Sequence, residues 1–192
     1  MKKTLILLLA ISIFNSCSVI KPYPLEENGF FKAKKQSKTI ESIGFDLDKN
    51  KSLLVVNGQA FVNGNDYPRE MINNIGYFEN VLTLQDFKKE IVKNNKQDEI
   101  GSISDDLGLN RAYKKHRPFL YVYFKIREGK RKFPAVRYLQ IIMLNPDNLE
   151  EIFIAETFMD NYLTGVGAEN TYNPLFNELI KYIRLNSYYT ND

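Results

Sequence analysis

The alternation of apolar and polar residues predicts three consecutive β-strands in the second half of the chain, at residues 119–127, 135–144 and 151–158. Short polar connections at residues 128–131 and 145–148 predict that these strands form an antiparallel meander. In the first strand the even-numbered positions are apolar, whereas the odd-numbered positions from 121 onward are Tyr, Tyr, Lys and Arg. This alternation is typical of a strand with one buried face and one amphipathic face.

Further upstream, the sequence LLVV-NG-QAFV at residues 53–62 predicts a β-hairpin, because Asn57 and Gly58 favour a type I′ turn. Residues 39–47 alternate weakly and predict another strand, and residues 94–102 predict a polar linker. Apolar residues at helical spacing predict helices over 67–75, 84–93, 105–115 and 174–185, the last three capped by Thr83, Ser104 and Asn173. The expected fold is α+β: a meander and a hairpin with packed helices, and the C-terminal helix lying on the sheet.

The first 17 residues, MKKTLILLLAISIFNSC, have the organisation of an export signal. Lys2 and Lys3 form a positively charged N-terminal region, and an apolar stretch of about ten residues follows at 5–14. A helix needs about 20 residues to span the core of a bilayer, so this stretch is too short to be a membrane span. Cys17, the only cysteine of the chain, comes shortly after it.

Residues 14–17 resemble the lipobox of bacterial lipoproteins, in which cleavage occurs just before a cysteine that becomes lipid-modified. Ser16 matches the small residue at the cleavage point, Phe14 is apolar as the pattern requires, and Asn15 departs from the common pattern. The resemblance covers only this N-terminal tenth of the chain. It implies removal of residues 1–16 as a signal peptide and lipidation of Cys17. The alternative is a plain secreted protein with a free thiol.

Residues 17–38 predict a lipidated tether, because two prolines and a glycine interrupt regular structure before a lysine-rich stretch. The sequence leaves open whether Phe30 and Phe31 dock on the domain. Residues 39–192 have the length of a single domain. The expected location is the cell envelope: a lipid anchor in a bacterial membrane, the outer membrane being favoured, with the domain facing the periplasm, since no acidic tract follows the cysteine.

Composition restricts the partners. The formal net charge is +3 and falls to +1 once Lys2 and Lys3 are removed, so net charge points to no particular ligand and argues against nucleic acid. Aromatic residues make up 13% of the chain, which is typical of a folded domain. The expected partners are a membrane, through the N-terminal lipid, and an envelope protein or an anionic glycolipid.

The residues predict no enzyme. His116 is the only histidine, so a histidine-rich metal site is excluded, and a lipidated Cys17 is not available as a nucleophile. Glu150 and Glu151 are neighbours on a strand and would point to opposite faces. The sequence has neither a G-x-S-x-G elbow nor a phosphate-binding loop. We expect no cofactor and no metal.

Positive charge is concentrated between residues 111 and 137, where Glu128 is the only acid. The candidate anion-binding residues are Tyr121, Tyr123, Lys125, Arg127, Lys130, Arg131, Lys132 and Arg137. The alternative is a solvated hairpin whose basic residues pair with acidic neighbours. The leading hypothesis is a membrane-anchored lipoprotein that acts as a non-enzymatic binding or assembly component of the bacterial cell envelope, and the second is a lipoprotein that binds an anionic ligand through this hairpin.

Overall fold

The computed structural model describes residues 23–58, 66–130, 136–159 and 168–188. Within these ranges the strands are β1 (Lys38–Ser42), β2 (Leu54–Asn57), β3 (Val81–Thr83), β4 (Leu120–Glu128), β5 (Arg137–Asn145) and β6 (Glu150–Met159). The α-helices are α1 (Asp66–Ile75), α2 (Leu84–Lys93), α3 (Gln97–Ile100), α4 (Asp106–Lys115) and α5 (Asn173–Leu185). The predicted α+β class and the C-terminal helix are confirmed.

All six strands belong to one mixed sheet in the order β1-β6-β5-β4-β2-β3. The predicted meander is confirmed, since β4 pairs with β5 and β5 with β6, both antiparallel. β1 adds to β6 in the antiparallel sense, whereas β2 runs parallel to both β4 and β3. The sheet therefore has an antiparallel half and a parallel half that meet at β4.

β2 does not form the predicted hairpin, because both of its edges are occupied. Leu54 pairs with Val81 of β3 on one side and with Leu120 of β4 on the other. Residues 59–62, the other arm of that prediction, lie outside the described residues. The Asn-Gly signal is local, and the pairing of β2 depends on strands that are distant in sequence.

Helices cover both faces of the sheet. Against the first face, a core cluster combines Met71 and Ile72 of α1 and Phe176 of α5 with alternate residues of β2, β4, β5 and β6. Against the second face, a smaller cluster combines Phe87 of α2 and Leu109 of α4 with residues from β2 and β4. The second cluster lies over the parallel half of the sheet.

The predicted helix starts are partly correct. Thr83 caps α2, since its hydroxyl oxygen accepts a hydrogen bond from the Asp86 amide at 3.0 Å. α4 is capped by Asp105 rather than by Ser104. α5 begins at Asn173 itself, after a π-helical turn at Ala168–Tyr172, so the predicted cap is wrong. A helix entered from another helical turn needs no side-chain cap at that point, because the preceding turn supplies acceptors.

Two other local predictions needed correction. The strand predicted at residues 39–47 is confined to β1, every residue of which is exposed. Leu47 is nevertheless buried in the first core cluster, beyond the end of the strand. Residues 94–102, predicted as a polar linker, contain the short helix α3, whose Ile100 is buried.

The described part of the predicted tether, residues 23–37, packs on the domain. Phe31 is 1% exposed and contacts Phe176 edge-on, with the ring centroids 6.1 Å apart. The amide of Phe31 donates to the Asn177 side-chain oxygen and its carbonyl accepts from the Asn177 side-chain nitrogen, both at 2.8 Å. The Arg184 guanidinium lies 4.4 Å from the centre of the Phe30 ring. α5 thus holds this segment through both backbone and side chains.

Candidate functional site

β4 places four of the predicted site residues on the second face of the sheet. Strand periodicity brings Tyr121, Tyr123, Lys125 and Arg127 to this face, in register with Leu144, Ile142, Gln140 and Tyr138 of β5. The helices of the second cluster cover the tyrosine end, whereas the Arg127 end lies over the antiparallel half of the sheet. The two ends therefore have different surroundings.

At the Arg127 end, the guanidinium binds a carboxylate of the same protein. Its nitrogens donate to both oxygens of Glu156 at 2.8–3.0 Å, and its carbon lies 4.4 Å from the centre of the Tyr138 ring. Glu156, only 2% exposed, also accepts from Lys38 at 3.0 Å and from Gln140 at 3.1 Å. Two basic side chains of this face thus neutralise an internal acid.

The pKa of Glu156 reflects this cluster. Burial by itself raises the pKa of the carboxyl group, but the hydrogen bonds from Arg127, Lys38 and Gln140 together hold it below its usual value. Glu156 is therefore ionised over the neutral range, and Arg127 is fixed against Tyr138 by a bidentate ion pair.

Of the other basic candidates, Lys125 lies within β4, Lys130 follows this strand and Arg137 begins β5. The side chains of Lys125 and Lys130 are exposed and have no hydrogen bond or ion pair within the described ranges. The guanidinium of Arg137 lies 3.9 Å from the Glu128 carboxylate. Arg131 and Lys132 lie outside the described residues. Anion binding by this group stays a prediction.

At the tyrosine end, Tyr121 and Tyr123 stack on each other with ring centroids 5.8 Å apart and planes 26° apart. The Tyr121 hydroxyl accepts a hydrogen bond from the Asn57 side-chain nitrogen at 2.9 Å. The Tyr123 hydroxyl donates to Glu151, the second residue of β6, which pairs with Leu144. The rings are thus held by residues of β2 and β6.

A cavity of about 270 Å³ opens beside these two rings, at the carboxyl end of β2. Its polar lining comes from Asn57, Ser104, Asp105, Asp106, Tyr121 and Tyr123. The two acids come from the start of α4, where Asp105 accepts from the Gly108 amide at 2.7 Å. Among the described residues, the charged side chains of this lining are therefore acidic, in contrast to the basic surface predicted around these tyrosines.

Burial and negative charge act on both tyrosines. Burial is the main cause of the raised pKa of Tyr121; the Asn57 hydrogen bond opposes this rise and the charge of Asp106 adds to it. The pKa of Tyr123 is also raised, first by burial, then by the hydrogen bond to Glu151 and the charges of Glu151 and Asp106. Both hydroxyl groups are therefore neutral donors at physiological pH.

Close packing explains why α4 begins where it does. A Cβ added to Gly108 would lie 1.9 Å from the Ser102 carbonyl oxygen, so only glycine lets the chain before α4 approach its first turn. This approach sets the position of Asp105 and Asp106 beside β4. The sequence showed the glycine and the acidic pair, but not that they border the tyrosines.

Two other kinds of functional feature are absent from the described residues. Among them, no group of three or more His, Cys, Asp and Glu side chains is arranged to hold a metal ion. No helix in the described ranges is both long and apolar enough to cross a membrane.

No protein-family model and no curated protein matches the chain. Similar solved structures include PelC from Paraburkholderia phytofirmans, a dodecamer, with a TM-score of 0.43 and 10% identity over 80% of this chain and 100% of that one. The C-terminal domain of LpoB from Salmonella enterica gives a TM-score of 0.35 and 16% identity over 58% and 84% of the two chains. The lipoprotein GNA1162 from Neisseria meningitidis gives 0.33 and 14% over 70% and 94%. None of these similarities is strong enough to assign a function.

Proposed function

We propose that the chain is lipidated at Cys17 and acts as a non-enzymatic binding or assembly component of a bacterial cell envelope, anchored in the outer membrane and facing the periplasm. The observation that carries this proposal is the N-terminal sequence, in which a positive start, a short apolar stretch and the only cysteine follow one another. A lipidated cysteine also accounts for the single thiol of an exported chain.

The packing of residues 23–37 limits the distance between a lipid on Cys17 and the folded domain. Tyr23 is held against α1, with its amide 3.4 Å from the Met71 sulfur and its carbonyl oxygen 3.2 Å from the Asn74 side-chain nitrogen. Five residues lie between Cys17 and Tyr23, and an extended chain covers at most about 3.6 Å for each of the six steps along it, or roughly 20 Å here. A lipid on Cys17 would therefore keep the domain close to the membrane.

The point of attachment also favours one orientation of the sheet. Tyr23 lies against α1, whose buried residues pack on the first face of the sheet. The second face, with Tyr123 and Arg127, lies on the opposite side of the sheet. A lipid-anchored protein in this arrangement offers its second face to soluble or membrane-bound partners.

The test is the intact mass of the membrane-extracted protein, measured for the wild type and for Cys17→Ala, with Ser18→Ala as a matched control. We expect a chain that begins at Cys17 and carries added acyl mass in the wild type and in Ser18→Ala, and no acyl mass in Cys17→Ala. An unlipidated wild-type chain would refute the anchoring and leave a secreted domain.

A second candidate function is the binding of an anionic ligand, such as a phosphate-bearing glycolipid, by the basic residues of β4 and of the connection that follows it. It is favoured by Lys125 and Lys130, whose side chains are exposed and have no partner in the described part of the chain. The test uses the Cys17→Ala chain and anionic vesicles. Reversal of charge at Lys130, Arg131 and Lys132 should abolish binding, and unchanged binding would refute this function.

A further inference from the structure

Two large apolar side chains at the C-terminal end of α5 are the most exposed of their kind among the described residues. Leu185, the last residue of this helix, is 82% exposed, and Tyr188, three positions later, is 95% exposed. Single apolar residues are common on protein surfaces, but close neighbours that are almost fully exposed leave a larger apolar area in water. Such a pair is typical of a surface that is covered when the protein is in its working environment.

The backbone that carries this pair is held by the domain. Asn186 caps α5, since its amide donates to carbonyl oxygens of the last helical turn, and its side-chain oxygen accepts from the Phe45 amide at 3.1 Å. The Tyr188 amide donates to the Asp48 carboxylate at 2.9 Å. The exposure of the two side chains is therefore a property of the folded domain and not of a frayed helix end.

This end of α5 lies against the segment that leads to the predicted lipid. The Arg184 guanidinium donates to the carbonyl oxygens of Asn28 and Gly29 at 3.2 and 3.3 Å. The same segment begins at Tyr23 on α1, and α1 contacts α5 on the first face of the sheet. Because the chain from Cys17 to Tyr23 spans at most roughly 20 Å, a lipid on Cys17 would bring this side of the domain to the bilayer.

The residue types at this end of α5 are those of a membrane interface. Tyrosine has an amphipathic ring that favours the headgroup level of a bilayer, and leucine favours the acyl chains below it. Lys181, one turn before Leu185, is exposed, whereas its partner Glu178 is mostly buried. A lysine in this position can reach lipid phosphates. Glu26 and Glu27 are also exposed in the packed segment, so the apolar pair supplies the main attraction.

We propose that Leu185 and Tyr188 insert into the surface of the membrane that holds the lipid on Cys17, with Lys181 beside the lipid phosphates. This inference rests on the proposed function, because the lipid is what brings α5 to a bilayer. It gives the domain a fixed orientation, with the helices of the first face towards the membrane and the second face towards the surrounding compartment.

The test uses tryptophan as a reporter, because the chain contains none. Leu185→Trp and Tyr188→Trp are made singly in the full chain, which is purified in detergent and reconstituted into vesicles of phosphatidylethanolamine and phosphatidylglycerol, with or without bromine on the acyl chains. We expect bromine to lower the tryptophan emission of both variants by about half, since an interfacial side chain reaches about 5–10 Å into the boundary between headgroups and acyl chains.

Leu107→Trp is the matched control. Leu107 is 66% exposed and belongs to α4, which packs on the second face of the sheet. Its emission should be the same with and without bromine. All three positions are exposed, so the variants are expected to fold, and their urea midpoints should match that of the wild type.

The proposal is overturned if bromine quenches neither Leu185→Trp nor Tyr188→Trp, or if it quenches Leu107→Trp equally. A blue shift of the emission without quenching would mean that protein covers the pair, either a partner or a second copy, and would also overturn it. A lipidated chain whose reporters are unquenched would refute the insertion alone. An unlipidated wild-type chain in the intact-mass measurement would refute the anchor and this inference with it.

Discussion

Replacing the Phe31 side chain by alanine tests most directly whether the segment after Cys17 belongs to the folded domain. The ring is 1% exposed and packs against Phe176 in the first core cluster. Replacing a fully buried phenylalanine by alanine typically costs about 3–5 kcal/mol, because apolar contacts are lost and a cavity remains. Phe31→Ala should therefore lower the free energy of unfolding by about 4 kcal/mol, a large part of the roughly 5–15 kcal/mol of a typical domain.

Phe30→Ala is the matched control in the same segment. Its ring is half-buried and lies 4.4 Å from the Arg184 guanidinium carbon, so its loss should cost only about 1–2 kcal/mol. Asn177→Ala leaves the backbone amide and carbonyl of Phe31 without their side-chain partners and should cost about 1–3 kcal/mol.

The assay is equilibrium unfolding in urea, followed by far-ultraviolet circular dichroism, because the chain contains no tryptophan. The Cys17→Ala background avoids added lipid. With a denaturant slope of about 2 kcal/mol per molar urea, the unfolding midpoint of Phe31→Ala should fall by about 2 M and that of Phe30→Ala by less than 1 M. A Phe31→Ala midpoint within about 0.3 M of the parent would refute the docking, since a residue in a free tether contributes nothing to stability.

Three other substitutions test local features. Glu156→Gln removes the negative charge and one of the two oxygens that accept from Arg127, and should cost about 1–3 kcal/mol at pH 7. The folded-state pKa of Glu156 is lowered, so its contribution is present above the ordinary glutamate pKa of about 4.3 and is lost as the pH falls below it; the two urea curves should converge towards pH 3. Gly108→Ala should cost about 1–3 kcal/mol in the same urea assay, because its Cβ meets the Ser102 carbonyl. Thr83→Ala should cost about 1 kcal/mol through the lost helix cap, again read from the urea midpoint.

Each substitution has its control. A constant gap between wild type and Glu156→Gln from pH 7 to pH 3 would contradict the ion cluster. Gly44→Ala, where an added Cβ meets no atom within 4 Å, should be neutral or slightly stabilising; equal losses at the two glycines would contradict the steric explanation. Thr83→Ser should restore the cap, and a serine variant as unstable as alanine would show that the hydroxyl is not responsible.

The candidate site was only half predictable. Strand alternation placed Tyr121 and Tyr123 with Lys125 and Arg127 on one face, because side-chain direction along a strand follows from sequence position alone. Whether those side chains meet acids or bases depends on residues far away in the chain. Glu156 reaches Arg127 through the pairing of β5 with β6, and Asp106 reaches the tyrosines through the packing of α4.

The N-terminal signal pattern, the meander, the amphipathic helices and the Thr83 cap can be read from sequence alone, since all of these depend on residues close together in the chain. The folded structure adds that β2 lies between two parallel neighbours, that Phe31 is part of the core, and that the tyrosines border a cavity whose charged lining, among the described residues, is acidic. These features require contacts between residues that are distant in sequence. Local propensity does not specify which distant segment a strand or side chain contacts in the folded protein.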